Sequence, residues 1–153
     1  MILCDILLSE YTLGVIVDLS LKRLNMHDLI NHQEKFMTTK AFKYKKQAIK
    51  DVQPSMNVAG VPAWLGDTFV SADKDKTICA GFFRLEKGNA LVYDYDYEEM
   101  KVVVEGTFII SDETGQKVTA TVGDVLYFPS GSRITFTTPD YAVGFFCGQR
   151  APL

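Results

Sequence analysis

The pattern of apolar and polar residues changes character along the chain. From Thr77 onward, short runs rich in Val, Ile, Phe and Tyr alternate with turns of Gly, Pro and Asp. The strands predicted from this pattern are 78–85, 90–97, 100–105, 107–111, 117–122, 125–128, 133–137 and 141–147. Short strands at this spacing, with no helical period, indicate an all-β sandwich or barrel. A tight turn is expected at Gly106, between the third and fourth of these strands.

Residues 1–36 have a different pattern, typical of a helix or a poorly ordered leader. Both histidines of the chain, His27 and His32, lie in this segment. The abrupt change at Met37 predicts that 1–36 are an N-terminal extension and that 37–153 form the folded domain. The segment has no basic start, and acidic residues interrupt its apolar run, so neither a signal peptide nor a membrane anchor is expected.

Composition narrows the function classes. A chain of 153 residues has room for one domain, and its net charge of −3 argues against a nucleic-acid surface. The cysteines are odd in number and form no CxxC pair, which argues against a zinc knuckle and a thioredoxin-like motif. Cysteines that show no paired pattern indicate a reducing compartment, so the protein is expected in the cytoplasm.

Two stretches of the chain resemble the conserved motifs of the cupins. Residues 123–131 (GDVLYFPSG) have the glycine, proline and glycine spacing of the second cupin motif, and these residue types suit its turns. Residues 88–106 match the spacing of the first motif. Within the cupins, the chain is similar to the C-terminal domain of EutQ, the ethanolamine-utilisation cupin, through residues 97–100, 104–106 and 123–131. The resemblance implies a jelly-roll barrel, the double-stranded β-helix, after a short N-terminal extension.

The same resemblance identifies the residues at the usual metal-ligand positions. Asp94 and Asp96 stand where cupins carry their first two histidines, Glu99 stands at the glutamate, and Ile134 replaces the last histidine. A site with three histidines and one glutamate for iron, manganese or nickel is therefore not expected in the domain. If a divalent metal binds at all, Asp94, Asp96 and Glu99 are the expected oxygen ligands. The cofactor is otherwise unknown, and the protein could work without one.

The residues leave two orientations open for this strand. In one, Asp94 and Asp96 face the barrel interior with Glu99, where crowded carboxylates would raise one another's pKa and provide a general acid or base. In the other, Tyr93, Tyr95 and Tyr97 face the core and the aspartates face water, as in an ordinary amphipathic strand. Alternation favours the second orientation, and the cupin register makes the two about equal.

The remaining candidate residues lie around these acids. Arg84 interrupts an apolar strand and is expected either to counter the acids or bind an anionic substrate, or to extend to the rim. Glu99 has a structural alternative, which is pairing with Lys101 or Arg84. Five aromatic residues could line a ligand pocket or simply fill the core: Tyr93, Tyr95, Tyr127, Phe82 and Phe136.

Two functional hypotheses follow from these residues. The first is a small tailoring enzyme acting on a small organic substrate in secondary-metabolite biosynthesis. It draws on a similarity, in size and in the same motifs, to cupins of fungal polyketide pathways described as oxidoreductases. The residues themselves favour acid–base chemistry, as in a lyase or isomerase, by Asp94, Asp96 and Glu99 with Arg84 as electrostatic partner. The second hypothesis is a non-catalytic ligand-binding or scaffold module, similar to EutQ. A homodimer is expected in either case, because exposed sheet edges favour pairing.

Overall fold

The computed structural model describes residues 40–153, and within them residues 45–153 form one compact unit. After a single 3₁₀ turn at Ala48–Lys50 the unit consists of eight strands. These are β1 (Ala63–Val70), β2 (Cys79–Glu86), β3 (Leu91–Asp94), β4 (Glu99–Asp112), β5 (Lys117–Thr121), β6 (Val125–Phe128), β7 (Arg133–Thr137) and β8 (Tyr141–Gly148). The all-β architecture predicted from the pattern is confirmed. The expected extension, 1–36, lies outside the described residues.

The strands form a curled antiparallel sheet in which β4 belongs to both halves. Its first part pairs with β8 on one side and β6 on the other, and β2 and β1 continue that half beyond β8. Its second part pairs with β7 and β5, and β3 continues that half beyond β7. The two halves close around one aromatic core. Among the described residues, no helix is long and apolar enough to cross a membrane.

The predicted tight turn at Gly106 is wrong. Gly106 lies inside β4, which runs unbroken where the sequence predicts two strands. Its φ of 65° and a register shift between Val103 and Glu105 bend the strand from one half of the sheet into the other. A β-carbon at this position would overlap the carbonyl oxygen of Tyr141 on β8. The glycine is therefore needed for a bend and a close approach of two backbones.

Two further elements differ from the prediction. The strand β1 was not predicted, because its residues Ala63–Val70 include a glycine and an aspartate that weaken the strand pattern. The strand predicted over 90–97 is shorter, since β3 ends at Asp94. Tyr95 then bonds through its backbone to the loop before β7: its N–H donates to the carbonyl of Ser132, and its carbonyl accepts from Gly131.

Candidate functional site

The interior of the barrel is lined by one uninterrupted alternation that runs from β3 into β4. Odd-numbered residues from 91 to 103 lie inward and even-numbered residues lie outward, even though residues 95–98 are not part of a strand. The inward set consists of Leu91, Tyr93, Tyr95, Tyr97, Glu99, Lys101 and Val103. Five of these seven side chains carry a polar or ionisable group, which is unusual for the core of a small domain.

Glu99 and Lys101 form an ion pair in the centre of the barrel. The Lys101 ammonium donates to Glu99 Oε1 at 2.7 Å, and the side chains are only 3% and 2% exposed. The Tyr95 hydroxyl donates to the same Oε1 at 2.9 Å, and the Tyr97 hydroxyl donates to Oε2 at 3.3 Å. Both carboxylate oxygens are thus satisfied, as a buried charge requires. The Tyr93 hydroxyl lies 3.3 Å from that of Tyr97 and extends the network toward the rim.

Aromatic rings surround the lysine. Its nitrogen lies 4.9–5.8 Å from the ring centres of Phe83, Phe128, Phe136 and Phe146, a range in which a cation is attracted to the ring face. Burial lowers the pKa of Lys101, and the nearby Glu99 carboxylate opposes that shift. The ammonium group is therefore held by one carboxylate and a cage of rings, almost entirely away from bulk solvent.

Two glycines of β8 make room for these polar side chains. A β-carbon on Gly144 would lie 2.8 Å or less from two stem carbons of Lys101, and one on Gly148 would lie 2.9 Å from the ring of Tyr97. These distances are shorter than ordinary carbon contacts. The sequence YAVGFFCG therefore places its glycines opposite the ion pair, where larger residues would displace it.

A second ion pair lies next to the network. Arg150 makes a two-pronged contact with Asp67 of β1, at 2.6 and 3.1 Å, and both side chains are largely buried. The Arg150 guanidinium also lies 5.7 Å from the ring centre of Tyr97 and 5.3 Å from that of Phe146. It thus closes the side of the barrel behind Tyr97 and connects β1 to the residues that hold Glu99.

The tyrosine network predicts a loss of stability in alkali. Burial, together with the Glu99 charge, raises the pKa of both Tyr95 and Tyr97 well above the usual 10. A raised native pKa gives stability that is complete below the unfolded value and is lost as the pH rises above it. Above about pH 11.5, an unfolded lysine has lost its proton, the lowered pKa leaves Lys101 neutral in the fold as well, and unfolded tyrosines are ionised, so each buried tyrosine should cost about 1.4 kcal/mol per pH unit. Urea unfolding at several alkaline pH values measures this slope.

A Tyr95→Phe variant is the control for that slope. It removes one of the two tyrosines and should remove about half of the loss per pH unit. Phenolate absorbance should show the Tyr95 and Tyr97 signals appearing together with unfolding. A slope that does not change in the variant, or ionisation of these tyrosines in the folded protein, would contradict the network.

The space left inside the barrel is small. The cavity beside Glu99 and Lys101 measures about 20 Å³, and Met56 and Leu65 are among the residues that line it. That volume holds about one water molecule. Three of the five predicted pocket aromatics line it: Tyr93, Tyr95 and Phe136. In this conformation the described residues leave no room there for an organic substrate.

The structure places Asp94 and Asp96 on the opposite face from Glu99, so the orientation that put them inside the barrel is wrong. Both are exposed, and Asp94 pairs with Arg133 at 3.1 Å. The physical reason is that three tyrosine rings gain more from burial than two carboxylates, which would have to be desolvated side by side. The inward positions fall one residue later than the motif count from Gly88 suggested. A catalytic role for the aspartates stays a prediction.

Arg84 and the last two predicted pocket residues also lie outside the barrel. Arg84 pairs with Glu86 at 2.9 Å and lies over the ring of Tyr141, so it does not counter Glu99. Phe82 packs edge-on against Phe145 on the outer face of the sheet. Tyr127 is 57% exposed, and its hydroxyl donates to Glu98 at 2.6 Å. These residues alternate away from the core in their strands.

The interior does not fit the metal that cupins usually carry. Glu99 is the carboxylate there, and its oxygens are already engaged by an ammonium group and two hydroxyls. A cation would have to displace Lys101. Within residues 40–153, no group of three or more His, Cys, Asp and Glu side chains is arranged to hold a metal ion. The expected ligand set of Asp94, Asp96 and Glu99 does not converge.

A larger cavity opens elsewhere, between the β4–β5 turn and the connection from β6 to β7. It measures about 510 Å³, within the usual range for small-molecule sites. Its floor is apolar and its rim is polar. Of the residues singled out in the sequence, Tyr127 and Ile134 contribute to it, together with several other residues of the 123–131 motif. Sequence reasoning missed this cleft, because it forms where distant strands meet.

Comparison with known proteins links this geometry to one family. A family model described as ethanolamine utilisation protein EutQ matches residues 21–149. The acetate kinase EutQ of Clostridioides difficile (strain 630) is 46% identical over 48 residues, which are 31% of this chain. A protein of the same name from Escherichia coli K12 is 37% identical over 70 residues, or 45% of this chain. The chain spans 29% of the length of each of these relatives.

Solved structures agree with the fold. The EutQ protein of Clostridium difficile superimposes with a TM-score of 0.52 at 26% identity, over 60% of this chain and 64% of that chain. A cupin superfamily protein of Desulfitobacterium hafniense DCB-2 superimposes with a TM-score of 0.50 at 13% identity, over 73% of this chain and 94% of that chain. The second similarity concerns the fold alone. Together they confirm the cupin barrel predicted from the motifs.

Proposed function

The chain belongs to the EutQ family, and on that premise we propose that it is a non-catalytic binding or accessory module that turns no substrate over inside its barrel. The observation that carries the proposal is the ion pair of Glu99 and Lys101. Both groups are almost fully buried, they neutralise each other, and about one water fits beside them. A general acid or base must be within hydrogen-bond reach of its substrate. Here the carboxylate reaches only protein groups.

The buried pair supports a structural role for these residues. An ion pair inside a core adds little net stability compared with apolar residues, but it restricts which side chains can face each other. The lysine and the glutamate lie two residues apart on β4, so their contact does not by itself set the pairing with β8. Gly144 and Gly148 of β8 leave the room that Lys101 and Tyr97 occupy, and we infer that this fit fixes the register of β4 against β8 and so holds the outer surface in one shape. The module then binds its partners in the cytoplasm through that outer surface.

A catalytic function is the competing hypothesis, and two observations favour it. The matched relatives are named acetate kinase EutQ, and the network of Glu99, Lys101 and two tyrosines could move protons if the barrel opened. Met56 and Leu65 are among the residues that line the small cavity beside Glu99, and a substrate would need a larger one. The secondary-metabolite tailoring enzyme belongs to this same alternative. It too would need an accessible Glu99.

The purified protein, incubated with ATP, magnesium and acetate, tests this distinction. The binding-module proposal predicts no acetyl phosphate above the protein-free control, measured by trapping with hydroxylamine. Glu99→Gln is the matched variant, because it keeps the side-chain shape and removes the charge. Product formed by the natural chain and lost in Glu99→Gln would overturn the proposal. Product unchanged in the variant would be traced by further purification: activity that separates from the protein belongs to a contaminating kinase and leaves the proposal standing, whereas activity that stays with the protein would overturn it.

A further inference from the structure

The 510 Å³ cleft has the construction of a binding site. Its floor consists of apolar side chains that also belong to the core or pack against it: Ile110, Val118, Leu126, Phe128 and Ile134. Three of these are 4–5% exposed, so the floor is rigid. The strands β5 and β6, which both contribute to the cleft, pair only with β4 among the described strands. The cleft is thus concave and apolar at its base, with free strand edges beside it.

The charges on its rim are unequal. The charged residues that line it are Asp112, Glu113 and Arg133. The Arg133 guanidinium is already engaged, because one nitrogen contacts both oxygens of Asp94 at 3.1 and 3.2 Å. Its distance to the Glu113 carboxylate is 3.8 Å, and Glu113 is 74% exposed. Arg133 therefore lies between two carboxylates, Asp94 outside the cleft and Glu113 on its rim; with Asp112 there are three carboxylates for one guanidinium, a net charge of −2 at this rim.

Asp112 is fixed in place by its own turn. Its Oδ1 accepts hydrogen bonds from the backbone N–H groups of Thr114 and Gln116 and from the Thr114 hydroxyl. Its Oδ2 accepts none from the described residues and remains free for a ligand. The hydrogen bond from the Thr114 side chain, above all, lowers the pKa of Asp112, which keeps it charged at neutral pH.

We propose that this cleft binds a small organic cation: an apolar or aromatic body against the floor, with its ammonium group at Asp112 and Glu113. The proposal rests on the proposed function, because it supplies the ligand class of a binding module, but it concerns a site separate from Glu99. The apolar floor suits a ligand with an apolar body. The negative charge at the rim favours a cation over an anion of the same shape.

The probe is phenethylammonium, and its matched control is 3-phenylpropionate, which has a similar aromatic body and the opposite charge. Methyl NMR of the full chain should show saturable shifts at Ile110, Val118 and Leu126 with the cation, and at least fivefold weaker binding of the anion. Glu113→Gln should weaken cation binding roughly twofold to fivefold, the range of an exposed ion pair. Added salt should weaken it further.

Two variants test the location of the site. Val118→Phe fills the floor and should abolish the shifts, whereas Val122→Phe, at an exposed position in the turn after β5 and outside the cleft lining, should leave them unchanged. If Val118→Phe is unstable by thermal melting, Gln116→Arg replaces it: this exposed rim residue adds a positive charge without touching the core. Equal or tighter binding of the anion, shifts confined to other methyl groups, or no binding at millimolar probe would overturn the proposal. The acetyl phosphate assay fails or succeeds independently of these results.

Discussion

Replacing Lys101 with methionine is expected to lower the free energy of unfolding by about 3–5 kcal/mol, the usual cost of leaving one partner of a buried ion pair alone. Methionine matches the lysine stem in length and packs among the same phenylalanine rings. The loss therefore comes from the charge rather than from a cavity. Glu99 would remain buried with only two tyrosine hydroxyls as partners. Urea unfolding of the natural chain and the variant at neutral pH measures the difference.

The double variant, Glu99→Leu with Lys101→Met, distinguishes the cost of leaving one charge unpaired from the net contribution of the whole ion pair to stability. Replacing both charges with apolar residues of similar size is often neutral or stabilising by 1–4 kcal/mol. The double variant is therefore expected to recover part of the stability that the single variant loses, the remainder being the cost of the Tyr95 and Tyr97 hydroxyls that lose their acceptor. If the double variant were as unstable as Lys101→Met, the unpaired charge of Glu99 would not be the cause of the loss in the free energy of unfolding.

Substituting Gly106 with alanine should have the second-largest effect, a loss of roughly 3 kcal/mol or more. The left-handed conformation, with φ at 65°, costs an alanine about 1–2 kcal/mol. The overlap of its β-carbon with the carbonyl of Tyr141 adds the cost of forcing two paired strands apart, typically 1–3 kcal/mol. Thermal and urea unfolding should both show the loss.

Gly115→Ala is the matched control for that substitution. Gly115 also has a positive φ, 93°, but a β-carbon there would meet no atom within 4 Å. It therefore carries the conformational cost without the overlap, and its loss should be clearly smaller. A loss in Gly115→Ala as large as in Gly106→Ala would mean that backbone strain alone accounts for both, and that the close approach to β8 is unimportant.

The sequence predicts the architecture well because turn residues and alternation are local signals. Strands after residue 78 were located within about one residue where glycine, proline or aspartate ends them, as at 123–131. Gly106 misled the prediction because a glycine that bends a strand and a glycine that ends one look the same in sequence. Only its pairing with β8 distinguishes them, and that pairing depends on residues far along the chain.

The candidate site could have been predicted better from the same residues. Asp94, Asp96 and Glu99 cannot share a face in an uninterrupted alternation, since two are even-numbered and one is odd-numbered. Counting on from Glu99 places Tyr95 and Lys101 beside it, as the structure has them. The cupin ligand positions predict the opposite register, in which residues 94 and 96 lie inward. The Arg150–Asp67 pair was not predictable, because the two residues lie 83 positions apart.

The path of β4 through both halves of the sheet has a consequence for how the protein opens. Neither half can lose its hydrogen bonds without pulling on a strand that the other half still holds, so partial unfolding should be rare. Amide hydrogens on both sides of Gly106, in 100–103 and 108–111, are expected to show one common free energy of opening in hydrogen exchange, equal to that of global unfolding. The bend therefore makes two sheets behave as a single cooperative unit.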